Sequence, residues 1–288
     1  MRITKNIIFL KFIYNRLYIR NLKPNSVKNG DYMLLAVDIG NTNIVWGVFK
    51  EQTLVRSWRF DSQSQKTQDE WYALLHILFA GAGLSLKELT GIAISSVVPA
   101  VTNTISSFSR NAFSIEPFLI TSDLDLGITV LYDDPTAVGA DRLCNAVAAL
   151  ALYQAPLIII DFGTATTYDV ISEKGEYLGG IIAPGLETAA RILHQRAAKL
   201  PSVELQFPDT VIGTNTERSI QSGILYGAVA SLEGIIELIN TELGYETTVI
   251  ATGGLAQLIS EKTTAIDYFV PDLTLMGIEK IYRKIHSY

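Results

Sequence analysis

Short apolar runs separated by polar turns begin at residue 34 and predict a meander of three strands. The apolar runs are residues 34–37 and 44–49, and a third strand-like run follows at 54–60. The turn between the first two, residues 38–43, reads Asp-Ile-Gly-Asn-Thr-Asn. Strand-like runs bounded by glycine and asparagine are typical of hairpins, so we predict strand, turn, strand, turn, strand.

The same pattern returns in the second half of the chain. Apolar residues 157–160 are followed by the turn Asp-Phe-Gly-Thr-Ala-Thr and by strand-like runs at 167–171 and 177–182. The aspartates that open the two turns, Asp38 and Asp161, are 123 residues apart. An internal repeat of this length predicts two related domains that face each other.

Helical periodicity lies between and after the two meanders. We predict helices over residues 68–82, 99–110, 141–153, 184–199, 220–243 and 273–285, with further strands at 91–98 and 248–251. Helices that alternate with strands after a meander predict an α/β class, with a mixed sheet in each domain. We assign the domains to residues 33–153 and 154–288.

Residues 1–32 differ from the rest of the chain, with seven Lys or Arg and a single Asp. Lys11 and Arg16 interrupt the apolar run, so neither a signal peptide nor a membrane span is predicted. A basic amphipathic helix on a membrane surface is one alternative. We expect instead a basic extension outside the fold, with Met33 as a second candidate initiator.

Composition and charge narrow the function classes. The chain is 48% hydrophobic, enough to build a sizeable core. Residues 33–288 carry a net charge of −12, which weighs against binding to nucleic acid phosphates. The single cysteine, Cys144, excludes internal disulfides and Cys-based zinc or iron–sulfur sites. We expect a cytoplasmic protein that binds neither membrane nor nucleic acid.

The two polar turns have the chemistry of a phosphate clamp. Gly40 lets the backbone approach a ligand, and Asn and Thr side chains with turn N–H groups can donate to phosphate oxygens. Asp38 can face Mg²⁺, usually through water. An ordinary hairpin turn is the simpler interpretation of one such motif, but two facing turns favour a polyphosphate ligand. The Gly253-Gly254 pair is a weaker third element, and neither a Walker A nor a Rossmann glycine motif occurs.

A carboxylate and a guanidinium open the predicted helix at residue 141. Asp141 could accept the proton of a substrate hydroxyl during phosphoryl transfer, or it could simply favour the helix dipole. Arg142 could hold a substrate carboxylate or stabilise phosphoryl charge. The residues alone leave both interpretations of Asp141 open. Tyr132 and residues 133–135 precede this motif and could shape the same pocket.

These motifs together resemble the type III pantothenate kinases, in the superfamily that contains acetate kinase, sugar kinases and actin. The resemblance covers about residues 33–285, and residues 1–32 fall outside it. It rests on seven sequence motifs that occur in the same order as in the family: 38–43 (DIGNTN), 95–99 (SSVVP), 139–142 (GADR), 161–167 (DFGTATT), 179–185 (GGIIAPG), 213–216 (GTNT) and 251–254 (ATGG).

The resemblance implies two duplicated actin-like (ribonuclease H-like) domains with mixed sheets flanked by helices, and a cleft between them. It implies ATP-dependent phosphorylation of pantothenate to 4′-phosphopantothenate, the first step of coenzyme A biosynthesis. The family is homodimeric and magnesium-dependent, so we expect Mg²⁺ and a twin chain as partners.

The resemblance also assigns roles to residues of this chain. Asp141 would be the catalytic base, and Asp161 would bind a monovalent cation, K⁺ or NH₄⁺. The ATP-binding residues would be Asp38, Ile39, Gly40, Asn41, Thr42, Asn43, Ile44, Val45 and Thr164. The pantothenate-binding residues would be Tyr132, Gly139, Ala140, Asp141, Arg142 and Thr216.

Two other functions compete with this one. The chain could be another kinase or a phosphatase of the same superfamily, or a non-catalytic transcriptional accessory relative. Asp38, Asp141, Arg142 and Asp161 are all present, which favours an active enzyme.

Overall fold

The computed structural model describes residues 32–62, 66–197 and 199–287, and it arranges their strands in two five-stranded sheets. The first sheet has the order β3-β2-β1-β4-β5. Its meander β1–β2–β3 is antiparallel, whereas β4 runs parallel to β1, and β5 runs parallel to β4. The strands are β1 (Met33–Ile39), β2 (Asn43–Lys50), β3 (Thr53–Asp61), β4 (Gly91–Ser96) and β5 (Phe118–Leu119).

The second sheet repeats this topology strand for strand. Its order is β8-β7-β6-β9-β10, with an antiparallel meander and two parallel strands. The strands are β6 (Leu157–Phe162), β7 (Ala165–Ile171), β8 (Tyr177–Pro184), β9 (Thr248–Gly253) and β10 (Tyr268–Phe269). The predicted duplication of mixed sheets is therefore confirmed.

Seven α-helices are present in the described part of the chain, and they occupy three layers around the two sheets. They are α1 (Gln68–Gly81), α2 (Pro99–Phe113), α3 (Ala140–Leu152), α4 (Leu186–Arg196), α5 (Thr216–Leu243), α6 (Ala256–Ser260) and α7 (Leu273–His286). The six longer helices were predicted with ends displaced by a few residues. Helix α6 and strands β5 and β10 were not predicted, because such short elements show no clear period.

One outer layer covers the first sheet. Odd-numbered residues of β1 and even-numbered residues of β2 face α1 and α2, where Trp46 stacks on Trp71 with ring centroids 4.9 Å apart. Helix α1 starts at a capping box in which Thr67 and Glu70 satisfy each other's backbone N–H groups. Helices α4, α5 and α6 cover the outer face of the second sheet in the same way.

A central layer of two helices lies between the sheets. Helices α3 and α7 pack on each other, and their buried residues share one core with both sheets. Helix α7 comes from the second half of the chain but packs on β1, β2 and β4 of the first sheet. The division predicted between residues 153 and 154 therefore separates the repeats along the chain but does not separate their cores.

The predicted boundary of the N-terminal extension needs one correction. Tyr32 is only 7% exposed and belongs to the central core. Its hydroxyl donates a hydrogen bond to Oε1 of the buried Glu279 at 2.5 Å, and its carbonyl accepts from the N–H of Glu51. Tyr32 is thus part of the fold, whereas the expectation for residues 1–31 lies outside the described residues.

We predict that Tyr32→Phe destabilises the protein by about 1–3 kcal/mol, because a buried carboxylate loses a hydrogen-bond donor. Two described donors bond to Glu279, the Tyr32 hydroxyl and Arg283 Nε, and the variant would keep only the second, at 3.1 Å. Urea unfolding measures the change. The matched control is Tyr72→Phe on α1, where the ring is 46% exposed and little change is expected. Equal stability of the Tyr32→Phe variant and the unaltered chain would contradict the assigned bond.

Candidate active site

A cavity of about 290 Å³ opens where the carboxyl ends of β1 and β6 face each other. The next-to-last residue of each strand is an aspartate and a polar turn follows the strand, so the repeat brings two equivalent turns to one cleft. The cavity is lined by Asp38, Gly40, Asn41, Asn43, Val45, Arg59, Val97, Asp141, Arg142, Asp161, Gly163, Thr164, Ala165, Thr167, Thr252, Gly253, Gly254, Pro271, Asp272, Thr274 and Leu275.

The two turns touch at their tips. The hydroxyl oxygens of Thr42 and Thr164 are 2.8 Å apart, within hydrogen-bond distance across the mouth of the cleft. Backbone bonds from Gly40 N–H to Asn43 carbonyl and from Gly163 N–H to Ala165 carbonyl hold the two turns in related shapes. The pair can enclose a chain of phosphates from both sides, as the repeat predicts.

The ionised form of Asp38 is electrostatically unfavourable. Burial, and then the negative charges of Asp141 and Asp161, raise the pKa of Asp38 to about 8. The hydroxyl of Ser95, which neighbours Asp38 on β4, donates to its Oδ1 at 3.1 Å and opposes this rise in pKa. At neutral pH, any cation that enters the cavity would therefore stabilise the ionised form of Asp38.

Asp161 is held by the two helices of the central layer. Asn145 Nδ2 on α3 donates to Asp161 Oδ2 at 3.1 Å, and Thr274 Oγ1 on α7 donates to Asn145 Oδ1 at 2.8 Å. Burial raises the pKa of Asp161 to about 6, although the bond from Asn145 lowers it. Gly253 has a positive φ of +93°, and a β-carbon there would lie 2.5 Å from Asp161 Oδ1. Only glycine leaves room for that carboxylate.

Asp141 and Arg142 diverge in the structure although they are adjacent in sequence. Asp141 lies in the first turn of α3, lines the cavity and accepts the Arg142 N–H at 2.8 Å. It therefore has both properties that the sequence left open, a place in the cavity and a role at the helix N-terminus. A β-carbon on Gly139, the N-cap residue, would collide with Asp141 Oδ1, so this glycine also gives the carboxylate its room.

Arg142 extends beneath the cavity into the second sheet. Its Nε donates to Asp169 Oδ1 on β7 at 2.7 Å, and the hydroxyl of Tyr177 on β8 donates to the same oxygen at 2.6 Å. Burial raises the pKa of Asp169 to about 6 against the opposing effects of Arg142 and Tyr177. Nη2 of Arg142 is buried without a hydrogen-bond partner, so its N–H groups remain for a ligand.

The structure brings most of the predicted site residues together, but seven do not line the cavity. Ile39 and Ile44 are core residues of the outer layer, so only the backbone of these positions can serve a ligand. Thr42 reaches the cleft by its bond to Thr164. Tyr132 lies against Gly179, beside Tyr177, and outside the lining. Gly139, Ala140 and Thr216 also lie outside it.

Several lining residues were missed by the sequence analysis. Arg59 on β3, Asp272 before α7 and Thr274 on α7 carry no local motif, since only the sheet register and the central layer bring them to the cavity. Asp169, Asn145 and Tyr177 were missed for the same reason. A polar residue on the cavity face of a strand was the available signal for Arg59 and Asp169.

The donor atoms suit hard cations. Aspartate carboxylates and threonine hydroxyls are oxygen ligands, the kind that Mg²⁺ and K⁺ prefer. No cluster of three or more His, Cys, Asp or Glu able to hold a metal occurs in residues 32–62, 66–197 and 199–287. This composition fits a magnesium ion held by one carboxylate and by the phosphates of its ligand, rather than a cage built by the protein alone.

We predict that the ligand-free protein becomes less stable as the pH rises. Asp38 has an ordinary pKa of 3.8 and a pKa of about 8 in the folded protein, so between these values the folded state holds the extra proton. The contribution of protonated Asp38 to the free energy of unfolding is present at low pH and is lost as the pH rises through about 8, at up to about 1.4 kcal/mol per pH unit. Melting temperatures between about pH 5 and pH 9 measure it. The Asp38→Asn variant should show a flatter profile, and identical slopes for both proteins would exclude Asp38 as the cause.

The chain is similar in sequence to known proteins. The sequence pattern of type III pantothenate kinases matches residues 34–238. The type III pantothenate kinase of Halalkalibacterium halodurans is 45% identical over 252 residues, 88% of this chain and 99% of its own length. That of Bacillus cytotoxicus is 44% identical over 252 residues, 88% of this chain and 96% of its own.

Solved structures of more distant proteins share the fold. A protein assigned to the Baf family of transcriptional activators, from Campylobacter jejuni, has a TM-score of 0.55 at 17% identity and covers 87% of this chain and 98% of its own. The ethanolamine utilization protein EutJ from Carboxydothermus hydrogenoformans has a TM-score of 0.50 at 18% identity, with 90% and 92% covered. Such low identities show the fold alone, whereas the matching sequence pattern and the two relatives at 44–45% identity show the family. The chain belongs to the type III pantothenate kinase family.

Proposed function

We propose that the protein transfers the γ-phosphoryl group of ATP to the primary hydroxyl of pantothenate, which yields 4′-phosphopantothenate and ADP and begins coenzyme A synthesis. Family membership supports the reaction. The structural observation that carries it is the pair of Asp-x-Gly turns that meet at Thr42 and Thr164, with Asp141 on the cavity wall between them.

The turns and Asp141 divide the work of the reaction. Backbone N–H groups and side chains of residues 38–45, with Thr164, bind the phosphates of ATP. Asp141 accepts the proton of the pantothenate hydroxyl as the new phosphorus–oxygen bond forms. The bond between the γ-phosphorus and the bridging oxygen breaks, and its electron pair remains on ADP. No histidine lines the cavity, so among its lining side chains a carboxylate is the available base.

Two cations complete the proposed site. Asp38, with its raised pKa, would hold Mg²⁺, and Asp161 would hold K⁺ or NH₄⁺. When bound, these ions neutralise the buried carboxylates and the phosphate charge. Asn145 and Gly253 keep the Asp161 carboxylate in place for this purpose.

Arg142 is the proposed partner of the pantothenate carboxylate. Asp169, which also accepts the Tyr177 hydroxyl, fixes one edge of the guanidinium, and the unpartnered Nη2 offers its N–H groups to a substrate carboxylate. Tyr132, Gly139 and Ala140 surround this position rather than line the cavity. They are proposed to bind the pantoyl end of the substrate.

We propose a homodimer that supplies Thr216 to this region. Thr216 is exposed at the start of α5, away from the cavity of its own chain. By length and composition alone, α5 is the one described helix that could cross a membrane, and 28% of its most apolar window is buried. Its outward face, with Leu238 70% exposed, suits a second copy. Sedimentation at twice the chain mass checks the dimer.

A cytoplasmic location is also proposed, without nucleic acid or membrane partners. ATP is a cytoplasmic substrate, and Cys144 is buried as a free thiol. The structural likeness to a Baf family protein shows the fold alone and does not favour a role in transcription.

We predict that the protein with ATP, Mg²⁺ and K⁺ forms ADP at a high rate with pantothenate, and at background rates with acetate or glucose. A coupled ADP assay with mass detection of phosphopantothenate measures this. Turnover of acetate or glucose without pantothenate turnover would favour another kinase of the superfamily, and no turnover with any acceptor would favour a non-catalytic relative.

Removal of the proposed base gives a sharper test. We expect Asp141→Asn to lower kcat by about 10²–10⁴-fold, because the hydroxyl proton loses its acceptor. ATP affinity should survive, since the phosphate turns are intact. Asp209→Asn, at an exposed position, is the matched control. If Asp141→Asn keeps near-normal kcat, the carboxylate serves only the helix N-terminus, where asparagine does nearly as well.

Activity should also depend on the monovalent ion. We expect K⁺ or NH₄⁺ to support turnover and Na⁺ to support it poorly, with the dependence weakened or activity lost in Asp161→Asn. Initial rates in matched chloride salts measure this. Equal rates in Na⁺ and K⁺ buffers would contradict the proposal that Asp161 binds a specific monovalent cation.

A further inference from the structure

A row of three side chains crosses the first sheet on the face that borders the cavity. Asp38 on β1 pairs with Val45 on β2, and Val45 pairs with Arg59 on β3. Paired residues on adjacent strands point to the same face, and all three of these line the cavity. Arg59 thus lies two strand spacings of about 5 Å each from Asp38, within reach of a ligand held by the first turn.

Arg59 is exposed and has no hydrogen bond or ion pair with any described residue. Among the described residues that line the cavity, the other cationic side chain is Arg142, whose Nε is paired with Asp169 at 2.7 Å. Arg59 is close enough to Asp38 and Asp161 for its charge to lower the pKa of both. It therefore presents a free guanidinium to the place where phosphates are expected.

The internal repeat shows that the fold does not require a cation at this position. The equivalent row in the second sheet is Asp161, Thr167 and Ile182. Ile182 is 63% exposed and does not line the cavity. The first half of the chain alone carries a charge at the corresponding place, and neither phosphate turn contains a lysine.

We propose that Arg59 is a catalytic residue that binds the γ-phosphoryl group of ATP and stabilises its negative charge during transfer. The proposal rests on the proposed kinase function. A planar guanidinium can donate two parallel hydrogen bonds to phosphoryl oxygens. The side chain neither gains nor loses a proton. As before, the bond from the γ-phosphorus to the bridging oxygen breaks and that to the acceptor hydroxyl oxygen forms.

A structural role for Arg59 predicts different behaviour. If Arg59 only neutralised Asp38 and Asp161 in the ligand-free protein, its loss would change stability and pH dependence but would not distinguish one nucleotide from another. If Arg59 binds the γ-phosphoryl group, its loss weakens binding of a triphosphate more than binding of a diphosphate. The contrast between nucleotides therefore separates the two roles.

The test compares Arg59→Gln and Arg59→Lys with Arg56→Gln as the matched control. Arg56 is on the same strand and exposed, but it pairs with Val48 and faces the opposite side of the sheet. Steady-state kinetics give kcat and both KM values. Calorimetry with Mg²⁺ gives the affinities for ADP and for a non-hydrolysable ATP analogue.

We expect Arg59→Gln to lower kcat by about 10²–10³-fold, the usual effect of removing one preorganised donor to developing charge. The pantothenate KM should stay within about twofold, and analogue affinity should fall while ADP affinity holds. Arg59→Lys should recover part of the kcat, and Arg56→Gln should behave as the unaltered chain.

Two results would overturn the proposal. One is a kcat for Arg59→Gln within about twofold of that for Arg56→Gln. The other is an equal loss of affinity for ADP and for the ATP analogue. The binding measurements need no pantothenate, so a protein that fails to phosphorylate pantothenate but binds the analogue through Arg59 would refute the proposed function and leave this inference standing.

Discussion

Asp38 and Asp161 enter one cavity from two different sheets, and the cost of burying both carboxylates governs the rest of the site. Each is placed by the end of a central strand, and burial makes the ionised form of each costly. Such an arrangement is stable with protons at low pH, or with cations when ligand is bound. The raised pKa values are what the proposed function requires, namely carboxylates that gain positive charge when the substrate binds.

The central layer of helices determines where these carboxylates point. Helix α3 supplies Asn145 to Asp161 and carries Asp141 in its first turn, and α7 supplies Thr274 to Asn145. Because buried residues of both helices share one core with both sheets, the spacing of the two turns depends on that core. A change in the packing of α3 against α7 would therefore alter the catalytic geometry without touching a ligand.

The duplication of chemistry is only partial, and its departures from symmetry are informative. Both halves offer a strand end, an aspartate and a polar turn. The first half adds Arg59 at the edge of its sheet, whereas the second places Asp169 and Tyr177 around Arg142. Under the proposed function, one half would face the phosphates with the guanidinium of Arg59, and the other would hold Arg142 for the acceptor substrate.

Local sequence patterns predict the meanders, the repeat and the aspartates of the two turns, because strand periodicity and turn preference depend on residues that are close in sequence. They did not predict Arg59 or Asn145. The first depends on the register of three strands, and the second on a bond to Thr274, 129 residues away. Nor does any local pattern place Tyr32 in the fold, because its partner Glu279 is 247 residues away in the chain. Long-range pairing of this kind leaves no local period.

When nucleotide binds, the buried, proton-bearing Asp38 should exchange its proton for the positive charge of a cation. Calorimetry of magnesium–ATP binding in buffers of different ionisation enthalpy measures the protons released. With an Asp38 pKa of about 8, binding near pH 7 should release about one proton per chain, and Asp38→Asn should remove most of this release. Binding with no proton release, or with the same release from the Asp38→Asn variant, would contradict the account.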